Sequence, residues 1–245
     1  MSENGKSGPE IVVLLRRLCG SPHHVAEDAV MGQCERAALA SALILRSELG
    51  GRVTAAAFGP ASREDRVLAM ALRAGCDGAV RVWDAETADL DYLGVARVLA
   101  AVADRVGYDL VIVGDRSQDE GQGATGPAVA QLLGVPHLGR LVGLRGDDGA
   151  VVVTQRSGGK LYDLRTGFPA VLCVARLPAD RRPPGDLAPG RGSIEERDLP
   201  SLGLDPRALA HRRRFLGIAR ATRPGPNATM LTSPRELAER LFGEA

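Results

Sequence analysis

The chain has 245 residues, 44% of them hydrophobic, enough for one large domain or for one domain with an extension. Its 31 Lys and Arg stand against 30 Asp and Glu, and a net charge of +1 gives no electrostatic case for a nucleic acid or an anionic membrane as main partner. Aromatic residues make up only 3%, so the core must be built from Ala, Val and Leu, and stacking platforms for single-stranded bases are scarce. The four cysteines, Cys19, Cys34, Cys76 and Cys173, form no CxxC pair, and free thiols in a reducing compartment are expected rather than a zinc site. No apolar run reaches the ~18 residues of a membrane helix. Residues 1–10 are polar without a signal-peptide core, so a flexible N-terminus and a cytoplasmic location are expected.

Residues 11–15 (IVVLL) form a continuous apolar run, the pattern of a strand covered on both faces. An irregular stretch follows, then a helical pattern over residues 34–49 that Gly50-Gly51 stops. Residues 53–58 (VTAAAF) read as a second strand ending at Gly59-Pro60. Ser62 with Asp65 three residues on suggests a capping box for the next helix. A short third strand is expected over residues 79–82. Asp89 or Asp91 then caps a helix whose apolar positions Leu93, Val95, Ala96, Leu99, Val102 and Val106 lie mostly on one face. Residues 109–113 (DLVIV) are another buried strand. This alternation predicts a doubly wound α/β domain with a mostly parallel sheet.

After Gly134 the texture changes. Residues 141–144, 151–155 and 160–165 are short, strand-like and separated by GDDGA and SGG, which predicts a small antiparallel addition. Residues 168–175 (FPAVLCVA) read as a buried strand returning to the main sheet. From Arg176 the chain is rich in Pro, Gly and charge, with isolated apolar residues at Leu187 and Ile194. Ser233-Pro234-Arg235-Glu236 is a capping box with Pro at the first helical position, so a terminal helix is expected; its Leu237, Leu241 and Phe242 need something to pack on. The organisation is therefore an α/β domain over residues 11–176 followed by an arm of roughly 70 residues, for which partner binding is the first explanation.

The most informative stretch is DLVIVGDRSQDEGQGATGPAVAQLLGVP at residues 109–136. In open α/β sheets, ligands bind beyond the carboxyl ends of the strands, at a switch point. Three loops lie at that edge: residues 16–31, Gly59-Pro60, and residues 114–125. Gly121, Gly123 and Gly126 allow close backbone approach, and Pro127 suits the first turn of a helix while pushing Gly126 out of the α region. Free N–H groups near residues 123–128 would face an anion, helped by the helix dipole and the Thr125 hydroxyl. A Walker loop requires a Lys where this chain has Pro127, so a triphosphate with magnesium is not expected; one phosphate needs less compensation. The alternative is a plain helix-start loop with glycines for tight packing.

These segments in order, IVVLLRR, MGQCERAALASAL, VTAAAFGP, LRAGCDGAVRV and YDLVIVGDRSQDEGQGATGPAVAQLLGVP, resemble the β subunit of electron transfer flavoprotein over about residues 10–178. The resemblance implies an adenine nucleotide alpha hydrolase-like fold and a heterodimer with an α subunit that carries most of the FAD. It also implies a structural AMP on this chain, or a second FAD in its place. The implied nucleotide site is Leu14, Met31, Gly32, Gln33, Cys34, Phe58, Asp119, Glu120, Gly121, Gln122, Gly123, Ala124, Thr125, Gly126, Pro127, Ala128, Val129 and Ala130. Asp119 and Glu120 would then lie by the phosphate turn or the ribose. The implied partners are a flavin-dependent dehydrogenase as donor and a quinone oxidoreductase as acceptor; the resemblance also implies a partner-recognition loop over residues 177–200, holding Leu187 and Ile194, and an extended C-terminal arm over 201–245 that packs on the α subunit. The family's Asn-Pro-Phe-Cys turn is replaced by Met31-Gly32-Gln33-Cys34. Its Lys-rich run is replaced by residues 190–196 (GRGSIEE), which points to a specialised donor rather than an acyl-CoA dehydrogenase.

Other motifs carry less. SGGK at residues 157–160 is similar to a pyrophosphatase loop but sits between two strand-like runs, where a hairpin turn is expected. His23, His24, Glu27 and Asp28 lie in one segment with no further fixed ligand, so no metal site is expected. HRRRF at residues 211–215 reads as a solvated or subunit-facing Arg cluster. No Ser-His-Asp or carboxylate pair stands at catalytic spacing, so no bond-making chemistry is expected. A reading from another class is a stand-alone ATP-binding protein of universal-stress-protein type.

Overall fold

Continuous apolar runs, split by the period of two, build a sheet with a core on each face. A computed structural model describes residues 8–16, 31–87, 90–117, 121–177, 192–209, 231 and 233–243. The chain divides into two units, Met1–Arg212 and Arg213–Ala245.

In the first unit the elements are β1 (Glu10–Leu14), α1 (Gln33–Leu49), β2 (Arg52–Phe58), α2 (Ala61–Arg73), β3 (Gly78–Val82), α3 (Tyr92–Val106), β4 (Leu110–Gly114) and α4 (Thr125–Leu133). They continue with β5 (His137–Asp147), β6 (Ala150–Ser157), β7 (Lys160–Thr166), β8 (Ala170–Val174) and β9 (Ile194–Arg197). The described strands form one nine-stranded sheet in the order β7-β6-β5-β8-β4-β1-β2-β3-β9. Every pairing from β5 across to β9 is parallel, and β5-β6-β7 is antiparallel. The doubly wound sheet with an antiparallel addition is therefore as expected. Odd-numbered Ile11 and Val13 pack with Ala38, Leu45 and Leu68 of α1 and α2; Val12 and Leu14 pack with Val98, Leu99 and Val129 of α3 and α4. Two-faced burial is why β1 is wholly apolar from Ile11 to Leu14.

Helix starts show where local signals were outvoted. Asp91 caps α3, its carboxylate accepting from the N–H groups of Leu93 and Gly94 at 3.0 and 2.9 Å. The expected Ser62–Asp65 capping box does not form: α2 begins at Ala61, and the Pro60 carbonyl accepts from Arg63 and Glu64. Asp65 is instead drawn to Arg81 of β3, a buried guanidinium whose Nε lies 2.7 Å from Asp65 Oδ1. That contact is off-axis for a hydrogen bond and acts as a Coulombic pair. Arg81 also pairs with Glu196, its direct cross-strand neighbour on β9. The two hairpin turns use positive φ at both central residues, Asp148-Gly149 (29° and 71°) and Gly158-Gly159 (56° and 75°). SGGK is thus the hairpin turn that its flanking strands required.

The largest departure from expectation lies in residues 192–209. The segment expected as recognition loop and arm returns to the sheet as edge strand β9, where Ile194 faces Ala79 in register and packs on the core. Leu199 and Leu209, beside short 3-10 turns at Pro200–Leu202 and Pro206–Leu209, are buried in the α3 face. Ile194 is therefore a sheet residue, and its apolar side chain is accounted for by the core. Leu187 lies outside the described residues. Replacing Arg81 by Ala removes both ion pairs, the one to Asp65 of α2 and the one that holds Glu196 of β9. The expected result is a loss of about 2 kcal/mol in urea unfolding, with faster amide exchange selectively at residues 194–197. Exchange unchanged at β9 would show that the ion pairs do not hold that edge.

The second unit contains α5 (Pro234–Phe242), capped as expected by Ser233, whose hydroxyl accepts from the Glu236 N–H at 3.2 Å. Its Leu237, Leu241 and Phe242 are exposed. Among the described residues no helix is long and apolar enough to cross a membrane.

Candidate functional site

The sheet order changes direction beside β1. Connections from β1 run outward to β2 and β3, whereas α3 returns the chain to β4 on the other side of β1. In such sheets the ligand crevice lies beyond the carboxyl ends of the strands at this point, here β1 and β4. Two helices start at this edge. Neither has a side-chain cap: Gly32 precedes α1 and Ala124 precedes α4. The positive ends of both helix dipoles therefore lie at this edge without a side-chain cap.

The glycine turn is anchored by residue Asp115. Its N–H donates to the Val174 carbonyl at 2.9 Å, and its Oδ1 accepts from the Arg140 N–H at 2.8 Å. Arg140 sits in a bulge of β5 with φ of 58°, and Gln155 holds the preceding carbonyl of Gly139 at 2.9 Å. The Asp115 carboxylate is thus engaged by the bulge, and by Arg116 at 3.5 Å. Gly121 and Gly123 take φ of 64° and 61°, and a Cβ on Gly123 would stand 3.0 Å from the Asp115 carbonyl. The turn closes only with glycine there.

Gly126 is helical, not displaced from the α region. The restriction on a residue before proline comes largely from its Cβ, which glycine lacks. Pro127 sits in the first turn, where its missing N–H has no helical partner to lose. Gly126 is a packing residue: a Cβ would lie 2.2 Å from Cys173 Sγ and 3.0 Å from Val113 Cγ1. Cys173, 2% exposed, sits on β8 with its sulfur 3.2 Å from His137 Nε2. Burial pushes its thiol up to about 12, so it is a neutral donor and not a nucleophile. Burial lowers the His137 pKa, with the Asp115 carboxylate pulling the other way.

Cys34 is half-buried and ties three elements together. Its thiol donates to the Ala175 carbonyl at 3.3 Å, and the Arg116 N–H approaches its sulfur. Burial raises its pKa, and that N–H partly offsets the rise. The remaining expected site residues fall into two groups. Gln33, Gly121, Gln122, Gly123 and Pro127 are exposed at the edge, with Ala124, Thr125 and Ala128 half-buried beside them. Leu14, Met31, Phe58, Val129 and Ala130 are core residues, and Gly32 is also buried. The Phe58 ring lies 5.7 Å from Trp83, tilted by 47°. Asp119 and Glu120 lie outside the described residues, as do His23 and His24. Sequence reading missed the Asp115–Arg140 and Cys173–His137 contacts, because each joins positions far apart along the chain. Among the described residues no three His, Cys, Asp or Glu side chains are grouped to hold a metal.

An open, mostly parallel α/β sheet with two uncapped helix starts and a glycine turn at its switch point defines the nucleotide-binding class of doubly wound domains. Within that class the chain belongs to the electron transfer flavoprotein family, whose model, described as "Electron transfer flavoprotein domain", matches residues 24–202. It is 34% identical over 131 residues to the electron transfer flavoprotein subunit beta of Methylophilus methylotrophus, covering 52% of this chain and 49% of that one. It is 34% identical over 145 residues to Protein FixA of Azorhizobium caulinodans, covering 56% and 51%. With the electron transfer flavoprotein subunit beta of Bacillus subtilis the identity is 27% over 172 residues, covering 69% and 66%. The chain thus spans about half the length of the first two relatives it matches.

Proposed function

We propose that this chain is the β subunit of a cytoplasmic electron transfer flavoprotein, holding a structural AMP while a partner α subunit carries most of the redox-active FAD. The observation that carries the AMP assignment is the pair of uncapped helix N-termini facing one crevice, with the nearby Asp115 carboxylate turned into the β5 bulge. That site has donors for one phosphate and no lysine for three. Thr125, Gly126 and the exposed turn at residues 121–123 would meet the phosphate, and Gln33 and Cys34 would approach from α1. A second FAD could replace AMP only by using this same turn. FAD supplies the redox chemistry when bound; the residues of this chain position it and exclude other acceptors, making no covalent bond themselves.

The partner assignment has its own support. The exposed Leu237, Leu241 and Phe242 of α5 form the kind of apolar face that a partner subunit covers. The donor is then a flavin-dependent dehydrogenase and the acceptor a quinone oxidoreductase. Co-expression with the adjacent α-like subunit should give a yellow heterodimer from which AMP, or a second FAD equivalent, is extracted and identified by mass spectrometry. A colourless chain that ignores such partners and releases ATP would overturn the reading in favour of a stand-alone ATP-binding protein.

A further inference from the structure

We infer that Arg140 is the cationic phosphate ligand of the nucleotide site, the charge that its glycine turn lacks. This role rests on the nucleotide reading above and names the side chain that fixes the phosphate. The turn itself offers no cation: residues 117–127 (SQDEGQGATGP) hold neither Lys nor Arg.

The fold brings a cation from β5. The register between β5 and β8 slips between Leu138 and Leu141. Both leucines pack on the α1 side of the sheet. Gly139 and Arg140 therefore share one position on the opposite side, the side that α4 covers. His137 marks that side directly, since its Nε2 lies 3.2 Å from the Cys173 sulfur on which Gly126 rests. Only one of the two bulged residues can carry a side chain. A Cβ on Gly139 would stand 3.0 Å from the His137 ring. Arg140 is thus aimed at the α4 side from the strand next to Cys173, about 4.8 Å away across the sheet. The start of α4 is within the reach of an extended arginine from there.

The backbone is held for this purpose. Arg140 has φ of 58°, and among the described residues the only other non-glycine at positive φ is Asp148, in a hairpin turn. Glycine would take that angle with less strain. At Arg140 the angle is imposed from outside: Asp115 Oδ1 accepts from its N–H at 2.8 Å, and Gln155 donates to the Gly139 carbonyl at 2.9 Å. A bulge beside a ligand edge commonly re-aims a side chain, and strain held by its surroundings is commonest where a residue has work to do. The Arg140 side chain is exposed, and among the described residues no carboxylate forms an ion pair with it. Arg116, the other guanidinium by the turn, is already drawn to Asp115. A guanidinium offers a phosphate paired N–H donors, so one arginine can replace the missing lysine.

The test is equilibrium dialysis of radiolabelled AMP and adenosine against the full chain, kept with its flavin-carrying partner where one co-purifies. Arg140→Gln should weaken AMP binding at least about tenfold and leave adenosine unchanged, because only a phosphate contact is lost. Arg140→Lys should recover part of the loss. Arg140→Gly separates a ligand from a scaffold residue. It relieves the positive φ, so urea unfolding should find it about as stable as wild type, yet AMP should weaken as much as in Arg140→Gln. AMP held at wild-type strength by the Gln or Gly variant would overturn the inference and leave the nucleotide reading standing, as would AMP and adenosine weakened alike. A wild-type chain that binds no AMP would overturn both.

Discussion

A Gly126→Ala chain is expected to lose about 2–3 kcal/mol of unfolding stability, the upper range for one inserted methyl in a packed core. Two effects oppose each other here. Alanine gains about 0.5–1 kcal/mol over glycine inside a helix. Against this, the new Cβ lies 2.2 Å from Cys173 Sγ, closer than carbon and sulfur can stand. Either α4 moves off β8 or the thiol turns and leaves His137. The clash outweighs the helical gain, so the net effect is a loss. Cys173→Ala removes the obstructing sulfur, and the double variant should be more stable than the sum of the two single costs predicts, by about 1 kcal/mol. Urea unfolding of the four chains measures this directly. Additive costs would show that the Gly126–Cys173 contact does not decide how close α4 can sit.

Thr125→Glu should separate the fold from the ligand. An acid in the first turn of a helix is favourable by about 0.3–1 kcal/mol, so α4 should remain formed. Yet its carboxylate would lie where a phosphate's charge is proposed to sit, and like charges a few ångströms apart cost several kcal/mol even under partial screening. Nucleotide extracted from the purified variant should fall at least about tenfold, while Thr125→Ser, which keeps the hydroxyl, should retain it. Full occupancy in Thr125→Glu would place the nucleotide away from α4.

How much of this was readable from the chain can be judged element by element. The strands β1, β2, β4 and β8 announce themselves because burial on both faces leaves them mostly apolar, so VTAAAF and FPAVLCVA need no periodic pattern. The hairpins were readable from GDDGA and SGG, since paired positive φ angles require such residues. Strand β9 was not readable. IEER sits at an edge, half exposed, and its composition is that of a loop. The hint was across the sheet: an arginine inside GAVRV has to find carboxylates, and Glu196 is one of them. The candidate site was legible as a glycine turn before a helix, but its logic was not. Asp115 is one more acid in the sequence of the turn, and only the fold brings Arg140 to it. Gly126 was expected to leave the α region and is a helical spacer, because its neighbour Cys173 is set by a strand 47 positions later in the sequence.

The position of β8 has a consequence for how the molecule is made. It is the strand that joins β4 to β5, pairing with both, although it is encoded after the whole β5-β6-β7 hairpin set. Until residues 170–174 leave the ribosome, β4 presents a bare flank and the hairpins have no anchor. The other flank, at β3, waits longer still for residues 194–197. Such non-local closure makes for slow folding and a long-lived sticky intermediate. A nascent chain stalled before residue 170 would be the species most in need of a chaperone, and truncations placed there should aggregate rather than fold into a smaller domain.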